Sequence, residues 1–345
     1  MRKRLSRYQL DFETGCASIM RRTLLNLPRF WGVGLLGAPQ MSRKGAAVAM
    51  SRSFDLMIAG VQKAGTTSLT RYLGQHPQIA VHKTREITYF VRDNLFSKDF
   101  ESVFNNHYPQ DVTKSNLILG KSAGIAYQEK PAYRLKDHSP SCKILVVLRD
   151  PVERAYSEYW FRRRMGRETK SSFEAALAAE TKQSEDDVTT PAYSYLARGQ
   201  YPPQIKRLWE LFGIGNVSVF LLHDLKIEPV TTCQSIFEFT DIDSSFQPSV
   251  NENYNTAQKP RSEWVSRLSV LFFEEEHWGK EALQKIIPRR LARKVRKQLQ
   301  GWNQTDFSPP PMKTDTRQAL AEYFEPHNLE LESMLGRSLD HWTRA

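Results

Sequence analysis

Cysteine is scarce in this sequence. Only Cys16, Cys142 and Cys233 occur in 345 residues, an odd number whose spacing fits neither a zinc cluster nor a disulfide framework. Cys142 and Cys233 adjoin apolar segments and read as core thiols, a usage that suits a reducing compartment. Long apolar runs are missing as well. The run Phe30 to Ala38 is broken by Gly32, Gly34 and Gly37 and falls well short of the roughly 20 residues that a membrane-spanning helix needs. No internal repeat is present, which argues against solenoids and propellers. Acidic residues are nearly absent from one end. Residues 1–53 hold ten Lys/Arg against two Asp/Glu, so +8 of the formal +11 sits there and only +3 is left for the rest. The basic excess belongs to a tail, and the nearly balanced body lacks the electrostatic footprint of a nucleic-acid binder.

That tail has no helical or strand period, and Gly and Pro punctuate it. Residues 1–53 therefore read as a disordered basic leader, with a natural start at Met41 or Met50. Basic residues before the apolar run and small ones after it also fit a signal peptide, although thirty residues is a long lead-in.

Residues 54–345 are enough for one large domain with a sizeable core. Short apolar, β-rich runs recur: FDLMIA (54–59), LILGKS (117–122), KILVVL (143–148) and VSVFLL (217–222). Helical stretches lie between them, the first from Thr67 to His76. Continuous apolar strands alternating with amphipathic helices predict an α/β fold, a central parallel sheet with helices on both faces. From Glu263 onward the pattern is nearly all helical, broken by SPPP at 308–311, so the C-terminal portion is expected to be helical.

Two strand ends carry the chemistry. In IAGVQKAGTTSLTRYL (58–73) a buried strand runs into Gly60, a four-residue loop, Gly65 and a helix opened by Thr66, Thr67 and Ser68. Helix-start amides lack internal partners and the helix dipole places positive charge there, so a phosphate or sulfate suits the spot. The spacing is close to the Walker loop, but the residue after Gly65 is Thr66 and the lysine, Lys63, lies inside the loop. A nucleotide triphosphatase needs lysine in the Walker position. The loop is thus expected to cradle a phosphate without a Walker-type metal site. In KILVVLRDPVERAYSEYW (143–160) Arg149 stands at a strand's carboxyl end, Asp150 can cap the next helix, Pro151 suits its first turn and Ser157 follows two turns on. Arg and Ser together make a phosphate clamp. Alone, RDP reads equally as a structural cap with an ion pair; with the first loop it makes a two-phosphate nucleotide site.

GVQKAGTTSL and VVLRDPVERAYSEYW closely resemble the 5′-phosphosulfate and 3′-phosphate loops of sulfotransferases that use 3′-phosphoadenosine 5′-phosphosulfate (PAPS). The resemblance is nearest the branch of heparan sulfate N- and 3-O-sulfotransferases and their bacterial relatives. KTREITYF (83–90), ILGKSAGIAY (118–127), YLARGQYPPQIKRLWELF (195–212) and YFEPHNLELESMLGRSLDHW (323–342) are similar to it in the same order, covering Phe54 to Trp342. It implies a P-loop-like fold and PAPS as sulfuryl donor. It also implies that Lys63 contacts the phosphosulfate and the oxygen of the leaving phosphate. Lys63, Ala64, Gly65, Thr66, Thr67 and Ser68 would hold the 5′-phosphate, and Arg149 and Ser157 the 3′-phosphate. QKPRS (258–262) resembles the loop that closes over the nucleotide, which adds Lys259 and Arg261. Glu86 matches the family's general base, and Lys121 with Ser122 matches acceptor-facing positions. A carboxylate among cations would ordinarily have a lowered pKa and be a weak base; burial could offset this.

The 3-O-sulfotransferases carry a histidine two positions and an aspartate five positions after that glutamate, where this sequence has Thr88 and Val91, so the acceptor surface differs. The acceptor is expected to be a carbohydrate, glycolipid or small metabolite, polar or anionic. The disulfide of secreted members and any membrane anchor are lacking, which points to a cytoplasmic, bacterial-type relative. PRRLARKVRK (288–297) could hold a sulfated polymer or an anionic membrane surface, though a solvated helix face is the commoner meaning. His82 and His223 are reserve bases. Tyr193, Tyr195 and Tyr201 line a pocket or pack in the core. Two other functions compete: a P-loop kinase or nucleotidase, and a basic binding module. An enzyme should keep its turnover when residues 1–53 are removed; a module working through the tail should lose its main activity, as an assay of the truncated chain would show.

Overall fold

The computed structural model describes residues 52–108, 117–180, 194–250, 258–260, 304–306 and 309–344. Strand β1 (Leu56–Gly60) is buried at every position, which an all-apolar segment reaches only in the middle of a sheet covered on both faces. Its neighbours are β3 (Leu117–Lys121) and β4 (Lys143–Leu148); β2 (Ile79–Val81) and β5 (Val217–Leu221) lie outside them, giving the order β2-β3-β1-β4-β5. All four pairings are parallel. The chain builds one side of β1 first, with β2 and β3, then crosses to the other for β4 and β5. Ligands of open parallel sheets bind at the carboxyl ends of the strands beside such a reversal. β2, with only three residues, was not read from the sequence.

Helix α1 (Thr66–Leu73) turns Leu69, Tyr72 and Leu73 into the core. It ends earlier than the expected His76, because Gly74 takes the C-cap and donates to the Thr70 carbonyl at 3.0 Å. Short helices α2 (Asp93–Phe96) and α3 (Phe100–His107) precede β3, and α4 (Glu129–His138) leads to β4. Helix α5 (Pro151–Arg164) starts as expected, with Pro151 in its first turn. The Asp150 carboxylate accepts from the amides of Val152 at 2.8 Å and Glu153 at 3.4 Å. Then come α6 (Phe173–Ala178), α7 (Tyr201–Phe212), α8 (Leu222–Ile227) and α9 (Pro229–Phe239). A second small sheet pairs β6 (Gln258–Pro260) with β7 (Gln304–Asp306), antiparallel. β7 corrects the expectation of helix throughout the C-terminal portion. Helix α10 (Thr314–Leu335) fulfils it over its own length and stops at Gly336.

Cys142 and Cys233 are buried free thiols. Among the described residues no helix is long and apolar enough to cross a membrane. A separate apolar cluster glues α10 to α5: Val152, Ala155 and Tyr159 meet Phe173, Tyr195 and Phe324. Gly199 is wedged into this contact, since a β-carbon there would lie 2.6 Å from the Phe324 ring and 3.0 Å from Pro151. Gly199→Ala is expected to overpack the junction and lower stability by about 1–3 kcal/mol, read as a lower urea midpoint.

Candidate active site

The loop after β1 bends away by unusual backbone geometry. The Val61 amide still bonds to the Val147 carbonyl at 2.9 Å, prolonging the contact with β4. Lys63 then takes φ +71° and Gly65 φ +80°. Residues in the left-handed region alternating with ordinary ones turn successive amides towards one concave side, a nest for anions. Gly65 is the N-cap of α1, and no side chain caps that helix start. A β-carbon on Gly65 would come within 2.7 Å of Leu222, so glycine is required by both conformation and space. Ala64 and Thr66 are buried, while Thr67 and Ser68 are partly exposed at the helix mouth.

Lys63 is the cation of this cradle. Its ammonium lies 4.3 Å from the centre of the Phe161 ring, and it has no carboxylate within ion-pair distance among the described residues. Burial pushes its pKa down to about 8; Glu158 opposes the shift, and Arg164, Arg149 and Arg85 add to it. For a mostly buried lysine among other cations, a negative partner would favour the charged form.

Arg149 leaves the end of β4 and donates to the Lys63 carbonyl at 3.2 Å. A second guanidinium nitrogen is 3.5 Å from Glu153, one turn into α5. The positions 149, 153, 157 and 161 follow one another at helical spacing. Ser157 thus stands between Glu153 and Phe161, on the stripe that faces the loop. Burial lowers the Arg149 pKa, with Glu153 opposing it. The Tyr201 hydroxyl donates to the Arg149 carbonyl at 2.7 Å.

Glu86 comes from the segment after β2. The Ile87 amide bonds to the Lys121 carbonyl at 2.8 Å, which hangs this segment on the end of β3. Lys121 is almost completely buried; its ammonium donates to Thr67 Oγ1 at 3.2 Å and lies 3.9 Å from Glu86 Oε1. It therefore bridges the α1 mouth and the glutamate. Glu86 keeps about a third of its side chain exposed (32%), yet its pKa is raised. Burial is the largest cause and outweighs Lys121 and Arg85, which pull it down. Of the two opposed effects expected from the sequence, the cations and the burial, burial prevails, because the carboxylate is partly stripped of water. His82 is buried and driven down to about 4, by burial first and the Lys121 charge second, which makes it the weaker base. Ser122 is buried beside Lys121.

A family model for the sulfotransferase domain matches residues 53–300. The chain belongs to the sulfotransferase domain family. Curated relatives include bifunctional heparan sulfate N-deacetylase/N-sulfotransferase 4 of Mus musculus, 25% identical over 302 residues. Another is N-deacetylase/N-sulfotransferase 3 of Homo sapiens, 26% identical over 308 residues. Each alignment covers 84% of this chain and 31% of the relative, so the chain spans about a third of their length. Among solved structures, a sulfotransferase from Alicyclobacillus acidocaldarius aligns with a TM-score of 0.61 at 24% identity, over 85% of this chain and 100% of that one. That likeness supports the fold.

The sulfotransferase fold thus gathers Lys63, Gly65 to Ser68, Lys121, Glu86 and Arg149 around adjacent carboxyl ends of β3, β1 and β4, and Ser157 lies on α5 one turn after Glu153. Other candidates go elsewhere. His223 lies in the first turn of α8, its ring 4.5 Å from that of His341. Tyr195 and Tyr201 are core residues, the first with its hydroxyl on Glu168 at 2.6 Å. Arg261, Tyr193 and the basic segment 288–297 lie outside the described residues, and of Lys259 only the backbone is described.

Arg198 and Gln62, which meet beside Lys63, were not read as neighbours from the sequence. Arg198 is buried, donates to the side-chain amide of Gln62 next to Lys63, and lies 5.0 Å over the Tyr127 ring. Burial brings its pKa down to about 10 against the pull of Glu158. Both stood inside quoted motifs, but only the fold shows that they meet. Gly65→Ala is expected to weaken the binding of 3′-phosphoadenosine 5′-phosphate (PAP) at least about tenfold, through a left-handed penalty of about 1–2 kcal/mol plus the Leu222 clash, as calorimetric titration would measure.

Proposed function

We propose that this chain is a PAPS-dependent sulfotransferase acting on a hydroxyl or amine of a carbohydrate, glycolipid or small-metabolite acceptor. The observation that carries this reading is Lys63, a mostly buried ammonium without a carboxylate partner among the described residues, set in a glycine-bracketed nest beside Arg149. The residues present fit the donor: the concave side of the loop at Gly65 suits a 5′-phosphosulfate, and Arg149 with Ser157 suits a 3′-phosphate. When bound, PAPS supplies an activated sulfuryl group, whose sulfur gains a bond to the acceptor oxygen or nitrogen as its bond to the 5′-phosphate oxygen breaks.

The chain's own groups then have separate tasks. Glu86 takes the acceptor proton onto a carboxylate oxygen, and its raised pKa makes it a better base than an exposed carboxylate. Lys121 holds that carboxylate in place and limits the rise. Lys63, still cationic at neutral pH, offsets the charge that gathers on the departing phosphate oxygen. A kinase-like reading is disfavoured by Thr66 in the Walker lysine position.

The pH dependence follows from two opposite requirements. Glu86 must be deprotonated, so kcat/KM rises as pH passes its raised pKa, above the ordinary carboxylate range. Lys63 must be protonated, so kcat/KM falls again above about 8. Glu86→Gln is expected to lower turnover by roughly 10²-fold or more, while PAP affinity measured by calorimetry stays near wild type. Turnover that survives this change, or a profile flat through pH 8, would overturn the assigned roles.

A further inference from the structure

Arg149 shares its carboxylate partner with a second arginine. Arg317, in the first turn of α10, places one guanidinium nitrogen 2.7 Å from Glu153 Oε1, while Arg149 approaches the other oxygen, Oε2, at 3.5 Å. Glu153 therefore sits between guanidinium groups from two different parts of the chain. The other terminal nitrogen of Arg317 donates to Thr343 Oγ1 at 3.4 Å. Thr343 in turn donates from its hydroxyl and its amide to Asp150 Oδ2, at 2.6 and 2.9 Å. Arg317 is thus steered from two sides towards the start of α5, yet 40% of its side chain stays exposed to an incoming ligand.

Charge balance gives this arrangement a purpose. A phosphate monoester carries nearly two negative charges, and the 3′-phosphate stripe of α5 holds a carboxylate of its own. Asp150 is occupied by helix amides and by Thr343, so Glu153 is the acid that faces the guanidinium groups. With Arg149 alone, Glu153 would cancel the positive charge and leave Ser157 to hold the phosphate. A second guanidinium restores a net positive pocket. At 3.5 Å the Arg149–Glu153 contact is at the outer edge of hydrogen bonding, so Arg149 retains donors for another oxyanion.

We propose that Arg317 is a direct ligand of the 3′-phosphate, completing with Arg149 and Ser157 a pocket that selects a nucleotide phosphorylated on the ribose 3′-oxygen. This rests on the PAPS reading above. Two guanidinium forks from different elements can each offer paired donors to phosphate oxygens, and α10, docked on α5, sets their spacing.

Calorimetric titration of the full chain with PAP and with AMP, which lacks the 3′-phosphate, tests it. Arg317→Ala is expected to weaken PAP binding about 10- to 100-fold, the size of a lost hydrogen bond to a charged group, and to leave AMP affinity within about twofold. Arg317→Lys should recover part of the loss, because it keeps the charge without the fork. Unchanged AMP affinity also reports an intact fold. An alanine variant with the wild-type ratio of PAP to AMP affinity would overturn the inference, and so would equal losses for both nucleotides, the mark of a purely structural role. A wild-type chain that binds the two equally would refute the PAPS reading itself and the inference with it, and this result would show before any substitution.

Discussion

The hydrogen bond from Arg149 to the Lys63 carbonyl joins the two halves of the site, and it exists because β1 and β4 are parallel neighbours. Parallel pairing puts the carboxyl ends of adjacent strands side by side, so the loops that leave them must meet. β3, on the other side of β1, ends at Lys121 under the same constraint. Three short apolar strands therefore deliver the loop lysine, the bridging lysine and the arginine to one edge of the sheet. Glu86 is added by the segment hung on the Lys121 carbonyl. Without that strand order, the motifs would remain separate pieces of sequence.

Burial sets the electrostatics of this edge. It lowers the pKa of Lys63, Lys121, Arg149 and Arg198 and raises that of Glu86. Each group is thereby biased towards neutrality, and a bound anion near the cations would reverse the bias. Glu158 is the buried counterweight. Burial pushes it up, but Arg198, Arg162 and Arg154 together hold it below the ordinary range, so it stays a carboxylate beneath the cationic rim. Arg198 extends this buried network to Gln62, and so to the loop that carries Lys63.

The C-terminal helix closes the arrangement from outside. Its Phe324 packs into the cluster on α5, against the Gly199 backbone, and Trp342 lies against Tyr201, whose hydroxyl bonds to the Arg149 carbonyl. The Phe324 and Trp342 contacts join residues more than a hundred positions apart, and with the Tyr201–Arg149 bond they fix where the start of α5 points. The packing of α10 thus helps to set the position of Arg149 beside the Lys63 loop.

Much of this could be read from residues alone. The apolar strands, the glycine-bracketed loop with its displaced lysine and the Asp150–Pro151 helix start are written in local sequence, because backbone freedom, capping and continuous burial depend on residues a few positions apart. The short β2, β6 and β7 were missed, since three residues carry too little pattern against their surroundings. The raised pKa of Glu86, the bridge through Lys121, the approach of Arg198 to Gln62 and the pairing of Arg317 with Glu153 were decided by tertiary structure. Each depends on the distance between charges brought together from remote segments and on how much water is removed around them, and neither quantity exists until the sheet and its helices have assembled.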